Sequence, residues 1–313
     1  MTNFSVVIPL YNKEKDVLNT IQSVLKQTHS MFEIIIVDDG STDSSIEIIK
    51  NIKDERIRLF SKKNEGVSIA RNYGVEKATT EFITFLDADD YWYPNHLENL
   101  HSLIAKFPES QWYASAYEKK RTHRLTTQMN SPIMDNGENW FGEIDDFFNY
   151  CFVDSLTNSS SVCLKKEFFN SLDGFNKLYT HGEDTDLWIR AALKSSLIFS
   201  NKITIRNNLD SSNRSISIPN NRRNSIDLNK FKEVEKSNPS LKKYLDLNRY
   251  SQAINFKKAG GDKRIFSSYI SNIDFKNLNK KQRLLLKQNK FTLYLLASFQ
   301  KLLEKLGIRL SSF

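Results

Sequence analysis

Residues 82–90 read Phe-Ile-Thr-Phe-Leu-Asp-Ala-Asp-Asp, a short apolar run that ends in three carboxylates within four positions. Such a run is typical of a buried strand. Carboxylates this close repel one another unless a cation neutralises them, and Mg²⁺ or Mn²⁺ commonly bridges one or two carboxylates to phosphate groups. For an isolated Asp-x-Asp, a solvated turn or a helix cap is the alternative. The position directly after a buried strand favours a metal and phosphate site.

The sequence around this segment alternates between strand-like and helix-like patterns. Strand-like runs lie at residues 4–9, 33–37, 57–60 and 82–86. Helical spacing of apolar residues is found at 13–27, 43–52 and 66–77. The alternation predicts an α/β fold with a mainly parallel sheet covered by helices on both faces, and such sheets bind ligands beyond the carboxyl ends of their strands. Further along the chain, the pattern predicts strands at 111–117 and 161–164 and helices at 141–152, 184–193, 241–256 and 280–306.

Other predicted strands are also followed by polar residues. Asp38 and Asp39 come after the second strand, where a carboxylate can accept a hydrogen bond from a base N–H or a ribose hydroxyl. Asp43 or Ser41 can cap the next helix. Arg71 lies near the start of a predicted helix, where it can hold an anion or a base carbonyl, or serve only as a surface ion-pair partner.

A second acidic cluster lies in residues 182–188, Gly-Glu-Asp-Thr-Asp-Leu-Trp. Gly182 precedes a helical pattern, so the carboxylates fall at a helix N-terminus, where the macrodipole stabilises their ionised form. This favours a base that must be unprotonated at neutral pH. Helix capping would explain one of these acids but hardly three. Tyr91, Trp92 and Tyr93 follow the first acidic turn, and could stack on a sugar or base or pack against the next helix.

Composition and charge limit the class of protein. The chain has 313 residues, 39% of them hydrophobic and 26% charged, which is the mixture of a folded protein. Two cysteines are too few for a disulfide framework or a cysteine-based zinc site, so a reducing, cytoplasmic location is expected. Residues 1–200 carry 21 Lys and Arg against 29 Asp and Glu, whereas residues 201–313 carry 24 against 8. The composition changes near residue 205, where we expect a boundary.

The basic last third admits three explanations. Nucleic-acid binding is disfavoured because the charges are spread through helical segments without a recognised module. The basic side chains can form a solvated face that packs on the acidic part of the chain. Alternatively they attach the protein to an anionic membrane, since a helical stripe resembles that of an interfacial helix. This stripe consists of Leu295, Phe299, Leu302, Leu303 and Leu306.

Taken together, these segments closely resemble the family 2 inverting glycosyltransferases with a GT-A fold. The resemblance covers roughly residues 4–205 and rests on five motifs in the family's order. They are SVVIPLYN at 5–12, VDDGSTD at 37–43, NEGVSIARN at 64–72, DADD at 87–90 and GEDTDLW at 182–188. The resemblance implies a Rossmann-like GT-A catalytic domain at 1–205 and a smaller α-helical region at 206–313.

The resemblance also implies roles for individual residues. Asp184 would be the general base, supported by Glu183, and Asp89 would hold Mn²⁺ or Mg²⁺ against the donor diphosphate. Trp92 and Trp188 are candidates for the acceptor side. The residues expected to bind the nucleotide-sugar are Pro9, Tyr11, Asp39, Arg71, Asp87, Ala88 and Asp89. Many relatives carry a histidine near the end of this domain that is absent from residues 204–210, where Arg206 is the candidate phosphate partner.

The implied reaction moves a sugar from a nucleotide-sugar, by resemblance a UDP-sugar, to a hydroxyl of a glycan or lipid-linked glycan. The expected setting is the synthesis of a cell-surface polysaccharide or lipopolysaccharide at the inner face of the cytoplasmic membrane. A nucleotidyltransferase could use a similar acidic turn, but the cluster at 182–188 counts against it. A catalytically inactive module that binds nucleotide-sugars is the third alternative.

Overall fold

The computed structural model describes residues 2–212, 224–259 and 263–309, and within these ranges one large mixed sheet forms the centre of the fold. Its strands are β1 (Phe4–Leu10), β2 (Phe32–Asp38), β3 (Ile57–Ser61), β4 (Phe82–Phe85), β5 (Tyr91–Trp92), β6 (Trp112–Thr122), β7 (Leu125–Gln128), β8 (Phe141–Ile144), β9 (Val162–Lys165) and β10 (Leu197–Asn208). The helices are α1 (Val17–Leu25), α2 (Ser45–Lys50), α3 (Val67–Lys77), α4 (His96–Lys106), α5 (Lys166–Ser171), α6 (Glu183–Ala192), α7 (Pro239–Ala259), α8 (Lys263–Ile270), α9 (Lys280–Lys287) and α10 (Lys290–Lys305).

The main path of the sheet runs in the order β3-β2-β1-β4-β9-β6-β10-β5. The first four strands in this order are parallel to one another, and β10 is parallel to β6. In contrast, β9 is antiparallel to both of its neighbours, and β5, β7 and β8 also pair antiparallel. The carboxyl ends of β1, β2 and β4 therefore meet at one edge, as the alternating pattern predicts.

The centre of the sheet is apolar on both faces. Five consecutive residues of β1, from Phe4 to Ile8, are buried, which is why this strand reads as a continuous apolar run. Gly74 brings α3 close to β1, because a Cβ at Gly74 would lie 2.4 Å from Cγ1 of Val7. This close contact fixes the helix that carries Arg71 against the sheet.

Two sequence-based expectations for local structure are wrong. Residues 141–152 were expected to form a helix, but they contain β8 and a short 3-10 helix at Phe147–Tyr150. Pairing of β8 with β10 overrides the local helical spacing. Residues 280–306 were expected to form one helix, but they form two, α9 and α10. Asn289 is the N-cap of α10, and its side chain accepts a hydrogen bond from the amide of Thr292.

The C-terminal helical region is continuous with the sheet domain. The boundary predicted at residue 205 falls inside β10, and the start of α7 contributes Leu241, Tyr244 and Leu245 to the main core. A second, smaller apolar cluster joins α7 to α9 and α10 and includes Tyr250, Leu285 and Leu293. No helix in the described ranges is long and apolar enough to cross a bilayer.

Candidate active site

The acidic turn after β4 lies at the carboxyl edge of the sheet and is anchored from two sides. The hydroxyl of Thr20 on α1 lies 3.0 Å from the carbonyl oxygen of Ala88 and 2.8 Å from that of Asp90. The amide of Asp87 donates to the hydroxyl of Ser160 at 3.1 Å. The Ala88 side chain is buried, so this residue presents only its backbone. The turn is thereby held in one conformation with its carboxylates pointing in different directions.

Asp90 is the buried anchor of this turn. Its carboxylate accepts hydrogen bonds from the hydroxyl of Ser160, the side-chain amide of Asn207 and the backbone amide of Asn208. Burial, together with the charges of Asp89 and Asp87, raises the pKa of Asp90 to about 8. Asp90 therefore ties the end of β10 to the acidic turn and is not available to a ligand.

Asp89 faces Lys13 of the loop after β1. The Lys13 ammonium lies 2.7 Å from Oδ2 of Asp89, and both side chains are 11% exposed. Lys13 also donates to the carbonyl oxygen of Ser212 at 2.8 Å. In the described part of the chain, no group of three or more His, Cys, Asp or Glu side chains could hold a metal. A divalent ion at this position would be held by Asp89 and by oxygens of a bound diphosphate, a donor set that Mg²⁺ accepts.

Arg71 joins the two acidic clusters. Its guanidinium donates to Oδ1 of Asp87 at 2.6 Å and to Oε1 of Glu183 at 3.1 Å, and lies 5.0 Å from the ring centroid of Phe175. Arg71 is buried. Burial lowers the pKa of Arg71, but the charges of Asp87 and Glu183 outweigh it and raise the pKa overall. Arg71 was expected to contact the nucleotide, and in this conformation a direct contact would require the bridge to open.

The three acids at the start of α6 have different surroundings. Asp186 is fully buried and pairs with Arg190 and Lys230. Glu183 pairs with Arg71, but burial and the charge of Asp184 raise its pKa. Asp184 accepts from the amide of Thr185 at 2.6 Å and, within the described ranges, has no ion-pair partner. Of the three carboxylates, Asp184 is the one that can take up a proton without breaking an ion pair.

The residues after the first two strands that are expected to bind the nucleotide lie at the same edge. Tyr11 is exposed and Pro9 is half-buried at the end of β1. Asp39 is buried, and its carboxylate accepts from the Lys62 ammonium at 2.8 Å and from the amides of Glu65 and Gly66 at 3.0 and 2.8 Å. The Lys62 ammonium and the two backbone amides just before α3 thus fix the orientation of the Asp39 carboxylate.

Trp92 and Trp188, the candidates for the acceptor side, both lie in the core. Trp92 is 0% exposed and its indole N–H donates to the carbonyl oxygen of Ser160 at 2.8 Å. Trp188 is 1% exposed and stacks on Trp112 with ring centroids 6.4 Å apart. Both indoles fill the core beneath the site, because α6 and the segment after the acidic turn present these positions to the sheet and not to solvent.

Arg206, the candidate phosphate partner, is partly exposed on β10 and donates to Glu118 and to the hydroxyl of Tyr93. Sequence reasoning missed several other residues of the site. Lys13, Thr20, Ser160, Asn207 and Asn208 support or neutralise the acidic turn from four distant segments. Lys13 directly follows a quoted motif, and a search for cations near each strand end would have found it. No local pattern marks the other four.

The chain is similar to known glycosyltransferases in sequence and in fold. A sequence model of the family "Glycosyl transferase family 2" matches residues 5–158. An uncharacterized glycosyltransferase of Rickettsia felis is 36% identical over 201 residues, which make up 63% of this chain and 31% of that protein. The uncharacterized glycosyltransferase YibD of Escherichia coli K12 is 45% identical over 101 residues, which are 32% of this chain and 29% of YibD. The matched region thus spans about a third of the length of these relatives.

Solved structures share the fold over most of the chain. The crystal structure of S. aureus TarS 1–349 in complex with UDP-GlcNAc aligns with a TM-score of 0.59 and 19% identity, and covers 91% of this chain and 78% of that one. A second crystal structure of S. aureus TarS 1–349 aligns with a TM-score of 0.59 and 18% identity, and covers 98% of this chain and 79% of that one. At this level of identity the alignment establishes the GT-A-like fold, with its helical C-terminal region.

Proposed function

The chain belongs to glycosyl transferase family 2 through residues 5–158, and from this premise we propose that it transfers a sugar from a nucleoside-diphosphate sugar to an acceptor hydroxyl. The reaction is a single displacement that inverts the configuration of the anomeric carbon. The acceptor is a glycan or lipid-linked glycan of a cell-surface polysaccharide or lipopolysaccharide, assembled at the inner face of the cytoplasmic membrane. This setting rests on the family alone.

The observation that carries the proposal is the bridge formed by Arg71. One guanidinium contacts Asp87 in the turn after β4 and Glu183 at the start of α6. It therefore holds the donor-side turn next to the helix that presents Asp184. A nucleotide diphosphate beyond the strand ends and an acceptor hydroxyl beside Asp184 would meet at this edge of the sheet.

Asp184 is the proposed general base. It lies in the first turn of α6, at the positive end of the helix dipole, and in the described ranges it has no ion-pair partner. During attack it would take the proton of the acceptor hydroxyl. Glu183 is a positioning residue in this scheme, because its ion pair with Arg71 fixes the start of the helix.

The proposed donor is a UDP-sugar. Support comes from the TarS structures of the same fold, which were determined in complex with UDP-GlcNAc and with UDP. Asp39, held by Lys62 and two backbone amides, lies in the loop where a nucleotide base would be recognised. A bound Mn²⁺ or Mg²⁺ at Asp89 would neutralise charge that develops on the departing diphosphate.

The test is the release of nucleoside diphosphate from a panel of nucleotide-sugars, with Mn²⁺ and with a chelator. We expect slow hydrolysis of one donor in the absence of acceptor, and loss of this activity in Asp89→Ala. Asp210→Ala, which removes an acid that follows β10, is the matched control and should keep the activity. Donor binding by calorimetry without release or transfer would favour the inactive binding module. Absence of both binding and release would refute the proposal.

A further inference from the structure

We propose that the exposed face of α10 binds the surface of an anionic lipid bilayer. The inference rests on the C-terminal helices and not on the proposed transfer reaction. Large apolar side chains cover this face, each between half and two-thirds exposed. They are Phe291, Tyr294, Leu295, Phe299, Leu302 and Leu306.

The polarity of α10 is the reverse of that of an ordinary surface helix. Its covered side includes Leu293 but also the polar residues Gln300 and Glu304. Glu304 lies against the β6–β7 hairpin. Its Oε1 is 3.8 Å from Arg121, and its carbonyl oxygen accepts a hydrogen bond from the Thr122 hydroxyl at 3.3 Å. Residues 295, 299, 302 and 306 recur at three and four positions and lie on the opposite side. A helix that turns its apolar stripe outward needs an apolar partner.

The charges around this face identify the partner as anionic. Residues 280–309 contain eight Lys and Arg and a single acid, Glu304, which is mostly buried. Lys301 and Lys305 are exposed and directly precede Leu302 and Leu306 on the border of the apolar face. An apolar stripe flanked by lysines matches the boundary between lipid headgroups and acyl chains.

A second copy of this chain would fit the same face less well. In a two-fold interface the same patch meets itself, so the lysine borders of the two copies would be brought together, and the single acid of these helices, Glu304, is turned toward Arg121 and does not oppose them. Like charges at such short range are unfavourable. Anionic headgroups supply the missing negative charge.

The position of α10 relative to the candidate site gives the contact a function. Within β6, Glu118 contacts Arg206 beside the acidic turn, and Thr122, at the end of the strand, contacts α10. Four residues of strand span about 13 Å. A bilayer bound to α10 would therefore lie close to the edge of the sheet that carries the acids, which suits an acceptor anchored in lipid.

The test is co-sedimentation of the full chain with vesicles of phosphatidylcholine, with and without phosphatidylglycerol. We expect binding only to vesicles that contain phosphatidylglycerol. The double variant Leu295→Ser/Leu302→Ser should bind about tenfold more weakly or worse, because two large apolar side chains no longer enter the lipid. Leu178→Ser, which changes an even more exposed leucine in the sheet domain, is the control and should bind like the wild type.

A second variant keeps the test informative if the first is poorly folded. Lys301→Glu/Lys305→Glu should weaken binding by roughly fivefold per lysine at low salt while leaving the apolar face intact. Wild-type protein that stays in the supernatant with anionic vesicles at low salt would overturn the proposal. So would a wild-type dimer in sedimentation equilibrium that Leu295→Ser/Leu302→Ser dissociates without any change in vesicle binding. Donor hydrolysis in all these variants should match the wild type, which separates this proposal from that of the reaction.

Discussion

The ammonium group of Lys13 lies 2.7 Å from Oδ2 of Asp89, so the carboxylate proposed to hold a divalent ion is already neutralised by a side chain of the protein. Lys13 follows β1 and Asp89 follows β4, and the two strands are neighbours in the sheet. The pair lets an acidic turn exist at a strand end without a metal. It also places a cation where the charge of a diphosphate would arrive.

Replacing Lys13 should therefore change the affinity for metal. We expect Lys13→Met to bind Mn²⁺ about fivefold more tightly than the wild type in the absence of nucleotide, since a partly buried ion pair worth ~1 kcal/mol no longer competes for Asp89. Isothermal titration calorimetry with Mn²⁺ alone measures this. Lys15→Met removes an exposed lysine of the same loop and should leave the affinity unchanged. Equal Mn²⁺ affinities for the wild type and Lys13→Met would mean that Asp89 does not bind the ion.

Loss of Arg71 should destabilise the protein in a pH-dependent way. Arg71→Met leaves Asp87 and Glu183 without their shared cation, and breaking a buried ion pair costs about 3–5 kcal/mol of unfolding free energy. The pKa of Glu183 is already raised and would rise further, so the native state would bind protons more strongly than the unfolded state. The loss of unfolding free energy in Arg71→Met should thus be largest at neutral pH and become smaller as the pH falls. Urea unfolding of the wild type and Arg71→Met at several pH values tests this. A difference in unfolding free energy that does not depend on pH would contradict it.

Asp184→Asn should separate catalysis from donor binding. We expect turnover to fall by about 100-fold or more, the scale of losing a general base, while the dissociation constant for the nucleotide stays within about twofold. Transfer kinetics and calorimetry on the same preparation provide both values. Glu183→Gln should also lower the melting temperature, because it breaks the pair with Arg71, whereas Asp184→Asn should not. Normal turnover in Asp184→Asn would exclude this residue as the base.

Gly74→Ala should destabilise the fold without touching the site residues. The new Cβ would meet Cγ1 of Val7 at 2.4 Å in a fully buried contact, and overpacking of this kind costs about 1–3 kcal/mol. Chemical denaturation gives the free energy of unfolding. The double variant Val7→Ala/Gly74→Ala should lose less stability than the sum of the two single variants, because the smaller side chain makes room. Strict additivity would show that the close approach is not the cause.

Trp92→Phe should affect stability and not the acceptor. The indole N–H of Trp92 donates to the carbonyl oxygen of Ser160, and the hydroxyl of Ser160 donates to Asp90. A phenyl ring has no N–H, so the substitution removes the hydrogen bond to the Ser160 carbonyl. We expect a loss of about 1–3 kcal/mol. The KM for the acceptor should remain that of the wild type. A raised acceptor KM with unchanged stability would restore Trp92 to the acceptor side.

Strands β1 to β4 and helices α1 to α3 were predictable because each has its own local signal. Apolar runs, buried on both faces in strands such as β1, give the strands, and apolar residues repeated at three and four positions give helices such as α1. The segment 141–152 was mispredicted because β8 is specified by its pairing with β10, more than fifty residues away. The break between α9 and α10 could have been predicted from the capping preference of Asn289, which was overlooked.

The sequence by itself determined that carboxylates follow two of the parallel strands, β2 and β4, and begin α6, since these positions depend on local patterns. Only the tertiary structure decided what each carboxylate does. Asp89 faces Lys13, Asp87 and Glu183 share Arg71, and Asp90 is buried among groups that come from β10 and from the segment before β9. Charge pairing and burial are set by residues distant in the chain, so the same Asp side chain can be an anchor, a ligand or a base until its neighbours are known.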